Sequence, residues 1–335
     1  MGVRASQLAK GLGVFCAVLA LAQEPIRIQV KDVIVPVSVV SSSGKFVTGL
    51  TKDDFKIYDQ GKLQTITSFS GERNQPIVAG FLIDLSNASR IHWKEYQQAA
   101  SDLVLNLMPE GKNYSGYLIG YNNQADLLVD TTTDPEHISA KIKKLSPGGG
   151  SAMFDAIYMA VSNRKLIKGE PIQPRRVIVI IGDGHDNSSS KTLGEVLELA
   201  QRNLVTIYGI STLAYGATND EDSNLVRLAK ETGGIVEYPL QNVYKDVSGF
   251  LSTPRDEGNF TFDVGTGGYA AAQANAVFKS IADIAGEVTT QYTIHYTPDI
   301  PPDSTQVFRE IKVEVSLPNV TVRARNGYYP FNVVQ

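Results

Sequence analysis

The sequence of 335 residues is poor in cysteine and histidine: it contains one cysteine, Cys16, and four histidines. A single thiol excludes a disulfide scaffold and any zinc cluster built from cysteines. Runs of like charge are also missing, since no block of five acidic or five basic residues occurs and the net charge is −4. The sequence therefore gives no electrostatic support for a nucleic-acid partner or an anionic membrane surface.

Long apolar segments are missing apart from one near the start. Gly11–Ala22 is uncharged and mostly apolar, but it is shorter than the roughly 20 residues that a membrane-spanning helix needs. Arg4 and Lys10 precede it, and the triplet Ala-Leu-Ala closes it. This layout is typical of a secretory signal peptide. We therefore predict that residues 1–22 are a signal peptide, that the protein is exported to the periplasm, the outer surface or the extracellular space, and that the mature chain has no membrane span.

The remaining composition is that of an ordinary globular protein, with 42% hydrophobic and 20% charged residues. Ile26–Ser70 contains alternating and β-branched residues that predict strands, and the same pattern returns over residues 291–324. Between them, continuous apolar strands such as Ile77–Ile83 and Val177–Ile181 alternate with amphipathic helices. This alternation predicts an α/β fold: a Rossmann-like, doubly wound, mostly parallel sheet with helices on both faces.

The two terminal β segments are expected to form one module. Each has roughly 45 residues and would bury little surface alone, so we expect them to pair as a β-sandwich-like module into which the α/β domain is inserted. Three separate units in a row are the alternative. The chain then divides into the signal peptide, a first β part (23–73), the α/β domain (74–287) and a second β part (288–335). Residues 242–268, rich in Gly, Asp and Thr, are expected to form a surface loop.

Three loops carry the most suggestive polar residues. Asp84 and Ser86 follow the first central strand, Ser151 follows a run of three glycines, and Asp183 follows the second buried strand. In an open parallel sheet, ligands bind at the carboxyl ends of the strands, where such loops converge. Hydroxyl and carboxylate oxygens without soft ligands suit a hard divalent cation, Mg²⁺ before Mn²⁺ or Ca²⁺.

These loops resemble the metal-ion-dependent adhesion site of the von Willebrand factor A family, which is built from D-x-S-x-S, a distant Thr and a distant Asp followed by Gly. Asp84 and Ser86 match the first two positions, Ser151 stands where the family usually has Thr, and Asp183 matches the final Asp. The resemblance implies a non-catalytic, adhesion-type protein. Its metal, held with an open coordination position, would capture a carboxylate from an acidic residue of a protein partner.

The sequence departs from this pattern at the fifth position of D-x-S-x-S, where Ala88 has no oxygen to donate. Either water or Ser89, one residue later, would have to complete the ligand set. The flanking segments 49–61 and 322–329 are similar to the margins of exported VWFA-related bacterial proteins, a type common in acidobacteria.

Two alternatives remain open at this point. A degenerate, metal-free site, with Asp84 and Asp183 bonded to main-chain N–H groups at helix N-termini, would suit an envelope scaffolding protein. A metal-dependent hydrolase would use His185, which lies beside Asp183 and Asp186. However, H-E-x-x-H and H-x-H spacings and the G-x-S-x-G motif are absent from the sequence. We therefore predict that the protein is not an enzyme.

Overall fold

A computed structural model of the chain describes residues 27–29, 32–71, 75–90, 93–109, 111, 113–163, 165–166, 175–213, 223–239, 267–299 and 307–333. The predicted signal peptide lies outside the described residues. So does most of the predicted surface loop, except its last two residues, which belong to a helix.

The described elements alternate between strands and helices in the central part of the chain. The strands are β1 (Arg27–Gln29), β2 (Val33–Ser41), β3 (Phe55–Asp59), β4 (Lys62–Gln64), β5 (Ile66–Ser70), β6 (Ile77–Asp84), β7 (Tyr114–Tyr121), β8 (Ala125–Thr132), β9 (Arg175–Gly182), β10 (Val205–Ser211), β11 (Val236–Glu237), β12 (Tyr292–Tyr296), β13 (Arg309–Val315), β14 (Val320–Ala324), β15 (Gly327–Tyr328) and β16 (Phe331–Val333). The helices are α1 (Trp93–Leu107), α2 (Pro135–Ile142), α3 (Met153–Ser162), α4 (Leu193–Arg202), α5 (Asn224–Thr232) and α6 (Gly267–Thr290).

A six-stranded sheet in the order β11-β10-β9-β6-β7-β8 forms the centre of the molecule. All neighbouring strands are parallel except β7 and β8, which are antiparallel. Every residue of β6 is buried because α1, α2 and α6 pack on one face of the sheet and α3, α4 and α5 on the other. The predicted α/β fold with a doubly wound, mostly parallel sheet is therefore confirmed.

Strands from both ends of the chain form two further four-stranded sheets, β14-β2-β12-β5 and β15-β13-β3-β4. Antiparallel pairing places Ile294 of β12 opposite Val35 of β2. Both side chains are fully buried and share a core with Ile57 of β3. The two sheets thus enclose a common core, with the α/β part lying between the two contributions in sequence. The boundaries at 73/74 and 287/288 remain a proposal.

Some elements differ in extent from their sequence patterns. The apolar spacing of Trp93, Tyr96, Ala100 and Leu107 predicts a helix, and α1 is described over Trp93–Leu107, after a 3-10 turn at Asn87–Arg90. The segment 234–238, whose residues predict a strand, pairs with β10 over two residues only, Val236 and Glu237. Helix α6 extends to Thr290 because its buried stripe continues through Ile284 and Val288. In the part of the chain described here, no helix is both long and apolar enough to cross a bilayer.

The pH dependence of stability is expected to depend in part on Glu237, at the edge strand β11. Burial, followed by the negative charge of Asp283, raises the pKa of this carboxyl from 4.5 to about 7. The native protein therefore binds more protons than the unfolded chain between these values, so Glu237 lowers stability as the pH rises from about 4.5 to 7. We expect Glu237→Gln to raise the free energy of unfolding at pH 8 by about 1–2 kcal/mol, a range reduced for partial exposure.

Urea denaturation at pH 5 and pH 8 measures this effect. Glu310→Gln, the same substitution at an exposed strand position, is the matched control. If the two variants show the same pH profile, the attribution to Glu237 is wrong.

Candidate functional site

The three loops predicted to carry the site meet at the carboxyl end of the six-stranded sheet. The main-chain N–H of Gly148 donates to the carbonyl of Leu85 at 2.6 Å, which joins the glycine-rich loop to the loop after β6. The N–H of Asn187 donates to the carbonyl of Ser151 at 3.0 Å, which joins the same loop to the one after β9. Since β6 and β9 are adjacent parallel strands, their following loops emerge side by side.

Asp84 is the most buried carboxylate of this site, with 2% of its surface exposed. Its Oδ1 accepts a hydrogen bond from the N–H of Ser86 at 2.7 Å, while its Oδ2 has no partner among the described residues. Burial raises the pKa of Asp84 to about 6, and the negative charge of Asp183 contributes to this rise. Burial and the nearby charge of Asp183 therefore both disfavour the charged form of Asp84.

Ser86 and Ser89 lie close to Asp84 in sequence and are also buried, with 4% and 3% exposure. Ser89 Oγ has no hydrogen-bond partner in the described part of the chain. Ser86 Oγ makes no hydrogen bond of regular geometry there, although it lies close enough to Asp84 to lower the pKa of that carboxyl. The 3-10 turn Asn87–Arg90 turns Ser89 inward and leaves Ala88 exposed. Buried polar groups are almost always paired, so unpaired oxygens from residues so close together call for a ligand.

Ser151 and Asp183 complete the predicted set. The Ser151 hydroxyl donates to the carbonyl of His185 at 2.8 Å, which leaves its lone pairs available to a cation. Asp183 Oδ1 accepts from the N–H of His185 at 2.9 Å, and its Oδ2 lies 3.2 Å from His185 Nδ1. The imidazole of His185 is 73% exposed and Asp183 is 13% exposed, so this carboxylate is the more accessible of the two.

The chemistry of these donors fits a hard divalent cation. Two carboxylates and the hydroxyls of three serines supply oxygen atoms only, the donor type that Mg²⁺, Mn²⁺ and Ca²⁺ prefer. Within the described ranges, no group of three or more His, Cys, Asp or Glu side chains is arranged to hold a metal ion. Any cation here would therefore depend on hydroxyl donors as much as on carboxylates.

Sequence reasoning missed the side chains that hold the loops in place. Asn123 Oδ1 accepts from the N–H of Gly150 at 2.6 Å, and Asn187 Oδ1 accepts from the N–H of Ser151 at 2.9 Å. Asp186 caps α3 from a distant loop by accepting from the N–H of Phe154 at 2.8 Å. Runs of Asp, Asn and Ser are typical of loops that bond to main-chain groups, and this is the signal that residues 186–190 carried.

Tyr121, the last residue of β7, places its buried hydroxyl beside the site. Burial and the charges of Asp84 and Asp183 raise the pKa of Tyr121, and the hydroxyl has no partner among the described residues. A Cβ atom on Gly182 would lie 2.6 Å from Tyr121 Oη and 2.8 Å from Asp84 Cβ. A glycine is therefore needed between them, because any side chain would push the phenol and the carboxylate apart.

The fold and this arrangement of loops are those of a von Willebrand factor type A domain. The sequence profile of that family matches residues 80–249, about half of the chain, and the protein belongs to this family. Domains of this family are mostly non-catalytic modules for protein–protein interaction. No curated protein sequence matches the chain.

Solved structures are similar to the chain at low identity. The conserved hypothetical protein BatB from Bacteroides thetaiotaomicron is 19% identical over 48% of this chain and 88% of its own, with a TM-score of 0.36. An aerotolerance-related membrane protein from Bacteroides fragilis is 17% identical over 52% of this chain and 97% of its own, with a TM-score of 0.39. Proximal thread matrix protein 1 from the mussel byssus is 12% identical over 69% of this chain and 49% of its own, with a TM-score of 0.42. That structure has a zinc-occupied MIDAS motif.

Proposed function

We propose that this protein is an exported, non-catalytic binding protein that recognises an acidic residue of a protein partner through a divalent cation. The cation would be held by Asp84, Ser86, Ser89, Ser151 and Asp183. We expect Mg²⁺ to be the preferred ion, ahead of Mn²⁺ and Ca²⁺. The observation that carries the proposal is the set of buried oxygens without partners in the first loop: Asp84 Oδ2, Ser86 Oγ and Ser89 Oγ.

The proposal explains why these oxygens are left unpaired. Burying a polar group without a hydrogen bond costs roughly 1–3 kcal/mol, so several such atoms in one loop would be a substantial loss of stability. A cation bound by these oxygens would remove that cost and offset the repulsion between Asp84 and Asp183. When bound, it would supply a positive centre that attracts an anionic oxygen of the partner. The loop hydrogen bonds from Asn123 and Asn187 would fix the donors before binding.

The alternative is an envelope scaffolding protein with a metal-free site. Asp84 accepts from the N–H of Ser86 and Asp183 accepts from the N–H of His185, as that hypothesis requires. Both N–H groups belong to the loop of the carboxylate itself and not to an α-helix N-terminus. These bonds leave Asp84 Oδ2 unpaired. A metal-dependent hydrolase has less support, because its candidate general base, His185, is 73% exposed and lies against Asp183, itself a proposed metal ligand.

Thermal denaturation of the purified full chain tests the proposal. A cation that binds only the native form must stabilise it, by about 2.7 kcal/mol at a concentration 100 times its dissociation constant. We expect Mg²⁺ at millimolar concentration to raise Tm by several degrees relative to EDTA, and Asp183→Asn to abolish this increase. Asp130→Asn, at an exposed position of β8, should keep it.

Two results would support the metal-free alternative instead: no shift with Mg²⁺, Mn²⁺ or Ca²⁺, or an equal shift in Asp183→Asn. Binding to any partner that presents an accessible Asp or Glu is likewise expected to be lost in EDTA. We also propose that residues 1–22 direct export and that the protein is related to the VWFA-related proteins of acidobacteria.

A further inference from the structure

A second concave site lies at the end of the six-stranded sheet opposite to the three loops. A crevice of about 420 Å³ lies between the segment just before β6, the first residues of β9 and β10, and the sandwich strands β2 and β12. This volume falls within the usual range of about 300–1,000 Å³ for small-molecule pockets, which are frequent at the junction of two structural units. Two consecutive arginines, Arg175 and Arg176, lie in its wall.

All three nitrogens of the Arg175 guanidinium donate hydrogen bonds, and these bonds join β9 to α6 and to the segments next to it. Its Nε donates to Gln75 Oε1 at 2.9 Å, its Nη1 to the carbonyl of Val288 at 2.8 Å, and its Nη2 to the carbonyl of Gln291 at 2.6 Å. All these acceptors are neutral. Arg175 therefore fixes the shape of the crevice and brings a positive charge that no acceptor neutralises.

Arg176 has fewer hydrogen bonds than Arg175 in the described part of the chain. Its Nη1 donates to the carbonyl of Asn203 at 3.1 Å, while its buried Nε has no partner among the described residues. Across the described ranges, neither Arg175 nor Arg176 forms an ion pair. Burial lowers the pKa of both guanidinium groups, that of Arg175 to about 10, and no carboxylate among the described residues counteracts this effect. A partly buried pair of like charges without a counter-ion favours an anionic ligand.

The rest of the wall indicates what kind of anion would fit. Pro36, Val177 and Leu204 provide apolar surface, and Thr293 and His295 add further polar side chains, while no Asp or Glu side chain lines the described part of the crevice. A simple inorganic anion would leave the apolar wall uncovered. An anion with an apolar body would cover it and gain about 25 cal/mol for each Å² of apolar surface removed from water.

We propose that this crevice binds a small organic anion whose carboxylate or phosphate pairs with Arg176 and whose apolar body lies against Pro36 and Val177. The site is independent of the proposed metal site, since the two lie at opposite ends of the same sheet. It is therefore tested in EDTA, so that a carboxylate ligand cannot bind through a cation.

Isothermal titration calorimetry of the full chain tests this proposal with four probes: benzoate, phenyl phosphate, inorganic phosphate and the neutral benzamide. We expect saturable binding of benzoate or phenyl phosphate and at least tenfold weaker binding of benzamide. The stronger of the two organic anions identifies the head group. Arg176→Gln should weaken the binding at least tenfold, whereas Arg227→Gln, the same change at a half-exposed arginine of α5, should not alter it.

A second variant keeps the test valid if Arg176→Gln folds poorly. Leu204 lines the crevice and is 36% exposed, so Leu204→Glu would place a carboxylate near Arg176 without removing a buried core residue. We expect this variant to lose anion binding as well. The proposal is overturned if neither organic anion binds at millimolar concentration or if binding is unchanged in both variants. Inorganic phosphate binding as tightly as phenyl phosphate would refute the role of the apolar wall.

Discussion

Replacing Asp59 by alanine is expected to lower the free energy of unfolding by about 3–5 kcal/mol, the range for breaking a buried ion pair from one side. Asp59 is fully buried in β3, accepts three hydrogen bonds and forms an ion pair with Arg309. Oδ2 accepts from the hydroxyls of Tyr296 at 2.9 Å and Tyr328 at 2.8 Å. Oδ1 accepts from Arg309 Nε at 2.9 Å and lies 2.7 Å from Arg309 Nη2. The loss would leave two phenol hydroxyls and a guanidinium without their acceptor.

The cluster of Asp59, Tyr296, Arg309 and Tyr328 connects the two segments of the chain that form the β-sandwich. Asp59 belongs to the part before the α/β domain, whereas its three donors all belong to the part after it. Chemical denaturation monitored by circular dichroism gives the loss of stability. Asp53→Ala, the same substitution at an exposed position, should change stability by less than about 0.5 kcal/mol. Equal losses in both variants would show that the cluster does not stabilise the sandwich.

Replacing Ser89 by alanine is expected to weaken Mg²⁺ binding at least about tenfold, or 1.4 kcal/mol. The reason is positional: Ser89 is buried with an unpaired hydroxyl, whereas Ala88, which occupies the family's usual serine position, is exposed. Ala88→Ser should therefore leave Mg²⁺ affinity unchanged, although it restores the D-x-S-x-S pattern. Titration of Tm with Mg²⁺ measures both variants.

The pair of substitutions is its own control, since it removes or adds one hydroxyl at neighbouring positions of the same turn. A gain of affinity in Ala88→Ser without a loss in Ser89→Ala would show that the site keeps the family's spacing. A loss in Ser89→Ala accompanied by a fall in stability without Mg²⁺ would assign Ser89 to packing instead. Melting both variants in EDTA separates these outcomes.

Most of the α/β fold could be predicted because its signals are local. The apolar runs in β6 and β9 are long and uninterrupted, as strands covered on both faces require. Helix α2 begins where Asp134 and the following proline predict it, with Asp134 accepting from the N–H of His137 at 3.1 Å. Such signals depend only on residues that are close together in sequence. They can therefore be recognised without knowing how the rest of the chain folds.

The candidate site could be predicted in outline only. The positions of Asp84 and Asp183 at strand ends indicate the correct edge of the sheet, because parallel strands in one sheet point their carboxyl ends the same way. Whether Ser89 turns inward depends on the 3-10 turn Asn87–Arg90, which no local pattern in the sequence marks. The support from Asn123 and the hydroxyl of Tyr121 comes from loops and strands distant in sequence, so no local pattern marks them.

The sequence by itself determined the strand–helix alternation, the buried strands and the carboxylates that follow them, because these depend on side-chain periodicity and on residue type. Only the tertiary structure decided which oxygens lack partners, how β3 and β12 join in one sandwich, and where Arg176 stands in relation to carboxylates. Burial and charge compensation are properties of neighbours in space. Neighbours brought together over a hundred residues or more, such as Asp59 and Tyr296, leave no pattern in the order of the chain.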